Sequence, residues 1–145
     1  LFSCMPHPEY GGMIRTSNPV VLGAKFETVD FRDIYSELSK LNDTVKELDS
    51  NFSHMRKSEI IESALRIHHR ITVIHPFGDG NGRTSRAFLN LMFLRYRLIP
   101  TYTKLEVKEE YYTALESADK YADYTRLYEF FMKALIRSHV ELGKR

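Results

Sequence analysis

The stretch that decides how this chain is read is His75-Pro76-Phe77-Gly78-Asp79-Gly80-Asn81-Gly82-Arg83-Thr84-Ser85-Arg86. Three glycines within five residues (Gly78, Gly80 and Gly82) permit backbone conformations that other residues resist, and they let N–H groups converge into an anion-binding nest. A helix opening at about Asn81 would aim its positive end at the same place. Arg83 and Arg86, three apart, project from one face of that helix's first turns, and two guanidinium groups beside a nest describe a polyphosphate site. Asp79 sets a carboxylate among these cations, where it either pairs with an arginine or, beside phosphates, holds Mg²⁺. His75 alone here has an ordinary pKa near neutrality and is the natural general base. Phe77 is expected to point inward and anchor the loop.

Outward from the loop, helical periodicity dominates. On the upstream side Ile60, Ala64, Ile67, Ile71 and Ile74 form one apolar stripe. Ser53 is the expected N-cap of that helix, and Pro76 disfavours the α conformation at His75, so it should stop there. Downstream, Asn81 to Tyr96 carries Ala87, Phe88, Leu91, Met92, Phe93 and Leu94 around much of its circumference, which predicts a buried central helix. Ile34, Leu38, Leu41, Val45 and Leu48 mark an earlier helix in one or two pieces, and Val107, Tyr111, Leu115 and Ala118 a later one. The last helix carries Tyr124, Leu127, Phe131 and Leu135, with Asp123 as its cap. Residues 1–12, with Pro6, Pro8, Gly11 and Gly12, read as an irregular lead-in. Residues 13–29 mix β-formers with breakers at Asn18-Pro19 and Gly23 and predict a small β-hairpin. No repeat or linker divides the chain, so residues 1–145 are read as one all-α domain with a hairpin appended.

Composition narrows the function classes. The 145 residues are 43% hydrophobic and 28% charged, as in ordinary globular domains, and suffice for one core. A formal net charge of +2 argues against sequence-independent attraction to nucleic acid or membrane surfaces. The most apolar run, 87–99, is interrupted by Asn90, Arg95 and Arg97 and is too short to span a bilayer. Cys4 has no partner for a disulfide, and Leu1 is not followed by a signal-peptide pattern, so a cytoplasmic setting is expected. Beginning without Met points to a processed or excised chain.

Other loop motifs fail on chemistry. A Walker A loop needs Lys and then Ser or Thr after its last glycine, where Arg83 stands. An EF-hand starting at Asp79 would want a ligand at Arg83 and Gly at Thr84. A dinucleotide-binding loop needs a strand before it, not a helix. His68 and His69 lie six or seven residues from His75 across a helix end, a poor zinc spacing, and His68 reads as a buried, hydrogen-bonded residue.

Residues 75–86 resemble the Fic-family signature His-x-Phe-x-Asp/Glu-Gly-Asn-Gly-Arg-x-x-Arg at every specified position, and the likeness extends over roughly 12–135 through Arg15, His68 and the Tyr111-Tyr112…Leu115 helix. The resemblance implies a Fic-type helical bundle with a hairpin flap at about 13–29. It implies a protein adenylyltransferase that uses ATP with Mg²⁺ or Mn²⁺, His75 taking the proton from a Ser, Thr or Tyr hydroxyl and Asp79 holding the metal. Gly80, Asn81 and Gly82 would then grip the phosphates, Arg83 and Arg86 would neutralise the β- and γ-phosphates, and Tyr111, Tyr112 and Leu115 would line the adenine pocket. The flap would dock an extended stretch of the target protein. Asp119 replaces the asparagine with which many relatives contact the base, and an ionised carboxylate only accepts hydrogen bonds. The inhibitory helix of many relatives, with Ser/Thr-x-x-x-Glu-Gly/Asn, has only partial matches at Ser58–Glu62 and Thr125–Glu129, which places it outside this chain or on an antitoxin-like partner. A homodimer is compatible with the mixed polarity of the helix faces. Competing readings are transfer of another phosphate-containing group, AMP removal, or a non-catalytic nucleotide-binding or protein-docking module. Gly82 argues against the phosphorylating branch, which has Lys there.

Overall fold

The computed structural model describes residues 12–19, 28–102 and 107–142. Five α-helices follow one another: α1 Ile34–Asn51, α2 Lys57–Ile74, α3 Asn81–Arg95, α4 Lys108–Tyr121 and α5 Thr125–Leu142. Short 3-10 turns precede α1 at Phe31–Asp33 and follow it at Phe52–His54. Among the described residues no helix is long and apolar enough to cross a membrane.

α1 is continuous, and its buried residues Ile34, Leu41 and Leu48 recur every seven positions, a narrow seam that packs on α2. Ser53 does not cap α2, because it lies inside the 3-10 turn and Met55 is extended. The helix instead starts at Lys57 after an extended Arg56, whose N–H donates to Glu59 Oε2 at 2.8 Å. Reach explains the correction: Glu59 sits in the first turn and can fold back on the entering backbone, whereas Ser53 is too far upstream. Asp123 acts as expected, its Oδ1 accepting from Thr125 N–H at 2.9 Å.

The expected burial of α3 needs correction. Its buried residues are Asn81, Ser85, Leu89, Met92 and Phe93, one face against α2, while Leu91 and Leu94 stand 60% and 58% exposed. The helix carries two apolar stripes, and only one has a partner among the described residues. α2 is the enclosed helix, burying ten side chains from Ile60 to Ile74 against α1, α3 and α5. α3 ends in a Schellman-type cap with Arg97 left-handed at φ 59° and Leu98 N–H donating to Phe93 O at 2.7 Å.

α4 and α5 form an antiparallel pair in which Ala114, Ala118 and Ala134 are buried beside an aromatic cluster. Phe130 and Phe131 meet edge-on at 5.3 Å, and Phe131 meets the His68 ring at 5.4 Å. Residues 20–27 of the hairpin expected at about 13–29 lie outside the described residues. Its described portions make no strand; Ile14 forms an isolated antiparallel bridge with Phe77.

The one-sided burial of α3 makes a direct prediction. Phe93→Ala, at a fully buried position, should lower unfolding free energy by about 3–5 kcal/mol in urea titration. Leu94→Ala, its exposed neighbour, should change it by less than about 0.5 kcal/mol.

Candidate active site

The site is built where α2 ends and α3 begins. His75 terminates α2 in the left-handed region at φ 49° and ψ 56°, with its N–H still donating to Ile71 O at 3.0 Å. Pro76 has no N–H with which to continue the helix, so the chain must turn here. The His75 ring is half-buried, and Nδ1 lies 3.4 Å from Thr72 O. A carbonyl only accepts, so Nδ1 carries the hydrogen and Nε2 keeps its lone pair. Burial holds the imidazole below the ordinary histidine value, the Thr72 carbonyl opposes that shift and the Arg15 cation adds to it. The ring is therefore neutral near pH 7, the state a general base needs.

Phe77 is clasped from behind. Asn81 Oδ1 accepts from Phe77 N–H at 2.9 Å while Asn81 Nδ2 donates to Phe77 O at 2.7 Å. Asn81 is buried, and its amide braces the loop's backbone from inside. Gly80 stands at φ 80° as the N-cap of α3, a conformation that an L side chain would strain, and it supplies no side-chain cap. Gly82 is constrained by proximity: a Cβ there would lie 3.3 Å from Arg86 Nη1.

The charged groups lie on the outside of this turn. Asp79 and Arg83 pair at 3.1 Å, with side chains 56% and 41% exposed, and Asp79 Oδ1 also accepts from Gly80 N–H at 2.5 Å. Arg86 is half-buried, with its guanidinium carbon 5.8 Å from the centre of the Tyr111 ring. Tyr111 is buried, and its hydroxyl sits 2.9 Å from His68 Nε2. Burial pushes that hydroxyl up to about 12, with the nearby Arg86 charge opposing. His68 is fully enclosed, and burial lowers its imidazole to about 4. Among the described residues its Nδ1 has no hydrogen-bond partner. A neutral His68 and a neutral Tyr111 thus stand behind Arg86 without competing for its charge.

Of the residues expected around a base, Leu115 is buried in the core with Tyr111, while Tyr112 is 49% exposed and tilted against Tyr111 at 5.6 Å. Asp119 is engaged elsewhere. Its Oδ1 bonds His69 Nε2 at 2.8 Å, and His69 Nδ1 reaches Tyr124 OH at 3.1 Å. That three-residue link joins α2, α4 and the residue just before α5, and sequence reasoning missed it. The sole available signal was a histidine and an aspartate each on the apolar side of a helix. A separate cavity of about 260 Å³ lies beside Arg86, lined also by Asn90, Thr101, Tyr102 and Phe131. Among the described residues no three potential ligands cluster into a metal site.

Comparisons with known proteins agree with this geometry. A model of the Fic/DOC family matches residues 6–93. The protein adenylyltransferase fic-1 of Caenorhabditis briggsae is 33% identical over 112 residues, 77% of this chain but 21% of that protein. The chain thus spans about a fifth of the length of the curated relative it matches. Fic-1 from C. elegans (residues 134–508) superposes with a TM-score of 0.75 at 26% identity, over 94% of this chain and 39% of that one. BepC of Bartonella tribocorum, solved with AMPPNP, shares the fold at a TM-score of 0.74 and 20% identity, over 87% of this chain and 65% of its own.

Enclosure of His68 makes the fold acid-sensitive. The unfolded chain takes up a proton at the ordinary value of 6.5 and the folded chain only near 4, so the stabilisation is complete above 6.5 and declines as pH falls through that window. Chemical denaturation between those limits should show a loss of about 3 kcal/mol from this group. His68→Phe should flatten the pH slope even if it lowers stability at neutral pH. With a folded match to solved Fic proteins on top of the family match over residues 6–93, the chain belongs to the Fic/DOC family.

Proposed function

We propose that the chain is the catalytic core of a protein adenylyltransferase that moves AMP from ATP onto a Ser, Thr or Tyr hydroxyl of a target protein. The observation that carries this reading is the pairing of a neutral His75, Nε2 unprotonated, with a glycine-lined α3 N-terminus flanked by Arg83 and Arg86. Relatives named protein adenylyltransferases support it.

In this reading His75 Nε2 takes the hydroxyl proton. The freed oxygen attacks the α-phosphorus in line, the bond to the bridging oxygen of the β-phosphate breaks, and pyrophosphate leaves. The nest at Gly80 and Gly82 and the start of α3 hold the phosphates, and Arg83 and Arg86 neutralise their charge. Asp79 fits a hard divalent cation as a single exposed carboxylate, which suits Mg²⁺ arriving with its nucleotide rather than a resident metal. Mg²⁺ would supply charge neutralisation and orientation of the phosphate oxygens. Tyr112 is the exposed aromatic available to the base; Asp119, occupied with His69, makes the preference among bases a property to be measured. The target would dock along the flap at about 13–29, whose two described ends are fastened to the end of α2 and the turn after it: Val29 N–H donates to Val73 O at 3.2 Å and Arg15 N–H to Pro76 O at 2.9 Å. An inhibitory helix would come from outside this chain or from a partner.

Incubation with Mg²⁺ and ATP labelled at the α- or the γ-phosphate, with a lysate as source of targets, tests the reaction. Label retained only from the α position, and reduced at least about 100-fold in His75→Ala, is the expected result. Retention only from the γ position would make the enzyme a kinase, and unchanged transfer by His75→Ala would remove the histidine from the mechanism. The acid limb of the rate should have its midpoint below the ordinary histidine value of 6.5, because burial disfavours the imidazolium.

A further inference from the structure

We propose that Arg15 is a positioning residue: its guanidinium ties both roots of the segment that departs at Ser17 and returns at Val29 to the backbone of His75. The two described roots and the aim of the base then form one mechanical unit. The inference rests on the reading of His75 as the base.

Arg15 is buried, and each of its five side-chain N–H groups has an acceptor. Nε donates to His75 O at 2.7 Å, one Nη2 hydrogen to Ile74 O at 3.3 Å and the other to Val29 O. Nη1 donates to Ser17 O at 2.9 Å and Asn18 Oδ1 at 3.1 Å. Among the described residues no carboxylate hydrogen-bonds the guanidinium. Asp30, the nearest acidic partner by charge, is engaged with Arg32 at 2.8 Å and with Asn18 Nδ2 at 3.1 Å. The buried cation is held by carbonyl dipoles, two of them at the negative end of α2, where a cation is favoured.

The same residue grips the histidine on its other side, since Arg15 N–H donates to Pro76 O. Left-handed backbone at a non-glycine residue is strained and persists only where its surroundings over-determine it. At His75 the bonds to residues 75 and 76 from one arginine are that over-determination. Asn18 closes the other side, its Oδ1 accepting from Phe31 N–H at 2.8 Å as well as from Arg15. Lysine could not substitute, because a tetrahedral ammonium with three hydrogens cannot span five acceptors lying around a plane. None of the Arg15 hydrogen bonds reaches α3, α4 or α5, and the phosphate-holding loop has its own brace in Asn81.

The test uses the full chain, wild type and Arg15→Ala, with Arg15→Lys as a variant that keeps the charge. ATP affinity by calorimetry should change less than about 3-fold, while transfer from α-labelled ATP should fall about 100-fold, the usual effect of a base displaced by an ångström. Millimolar methylguanidinium should restore transfer to Arg15→Ala in part, and methylammonium should not. Loss of ATP binding in step with transfer, no rescue, or transfer within about 3-fold of wild type would overturn the proposal. Should wild type transfer no label, the adenylyl-transfer reading fails and the coupling is judged by NMR alone. Arg15→Ala should then shift the His75 ring resonances and speed amide exchange at Val29 together, both reversed by methylguanidinium. Unmoved ring resonances would refute it.

Discussion

A helix that is stopped without being capped by its own sequence governs this structure. α2 ends because Pro76 offers no N–H and clashes with a continued helix, and its last carbonyls would be left bare beside a left-handed His75. Everything nearby answers that end. Arg15 supplies donors to Ile74 and His75, the backbone of residue 15 meets Pro76, and Ile14 bridges to Phe77. The turn is then closed from the opposite side by Asn81, which belongs to the next helix but bonds the backbone of Phe77. Fixing α2 therefore fixes the start of α3, and with it the direction in which its N–H groups and arginines point.

Charge is arranged in two layers around that turn. In the inner layer His68 and Tyr111 are held uncharged by burial, and the link of His69 with Asp119 and Tyr124 fastens α2 to α4 and to the residue before α5. The outer layer carries Asp79, Arg83 and Arg86. Neutral groups behind Arg86 leave its charge available outward, whereas a buried carboxylate there would have neutralised it. The positive end of α3 acts in the same direction.

Much of this was legible in the residues. The stop at His75, the start at Asn81 and the stripe from Ile60 to Ile74 follow from proline, glycine and spacing, and those features act locally. The inward turn of Asn81 was not legible, because its partner is a backbone amide that carries no residue identity. Nor was the role of Arg15, whose acceptors are carbonyls up to sixty positions away. The expectation of a buried α3 failed for a related reason. Leu91 and Leu94 are as apolar as Leu89 and Phe93, and periodicity counts stripes without saying which stripe finds a partner. Asp119 shows the converse: its likeness to a base-contacting position was visible, but its bond to His69 depended on how α2 lies against α4.

The pairing of Asp79 with Arg83 completes the logic of the outer layer. Both side chains are about half exposed, so their bond contributes no more than about 1 kcal/mol and is screened by salt. In the proposed reaction the carboxylate would face a cation and the guanidinium would face phosphate, and until then an interaction weak enough to exchange holds the two together. Had the pair been buried, separating it would have left two unpaired charges at several kcal/mol. Exposure at Asp79 and Arg83 and burial at Asn81 are thus complementary. The rigid contacts lie beneath the loop, where they fix its geometry, and the exchangeable ones lie on its surface, where the proposed nucleotide would arrive.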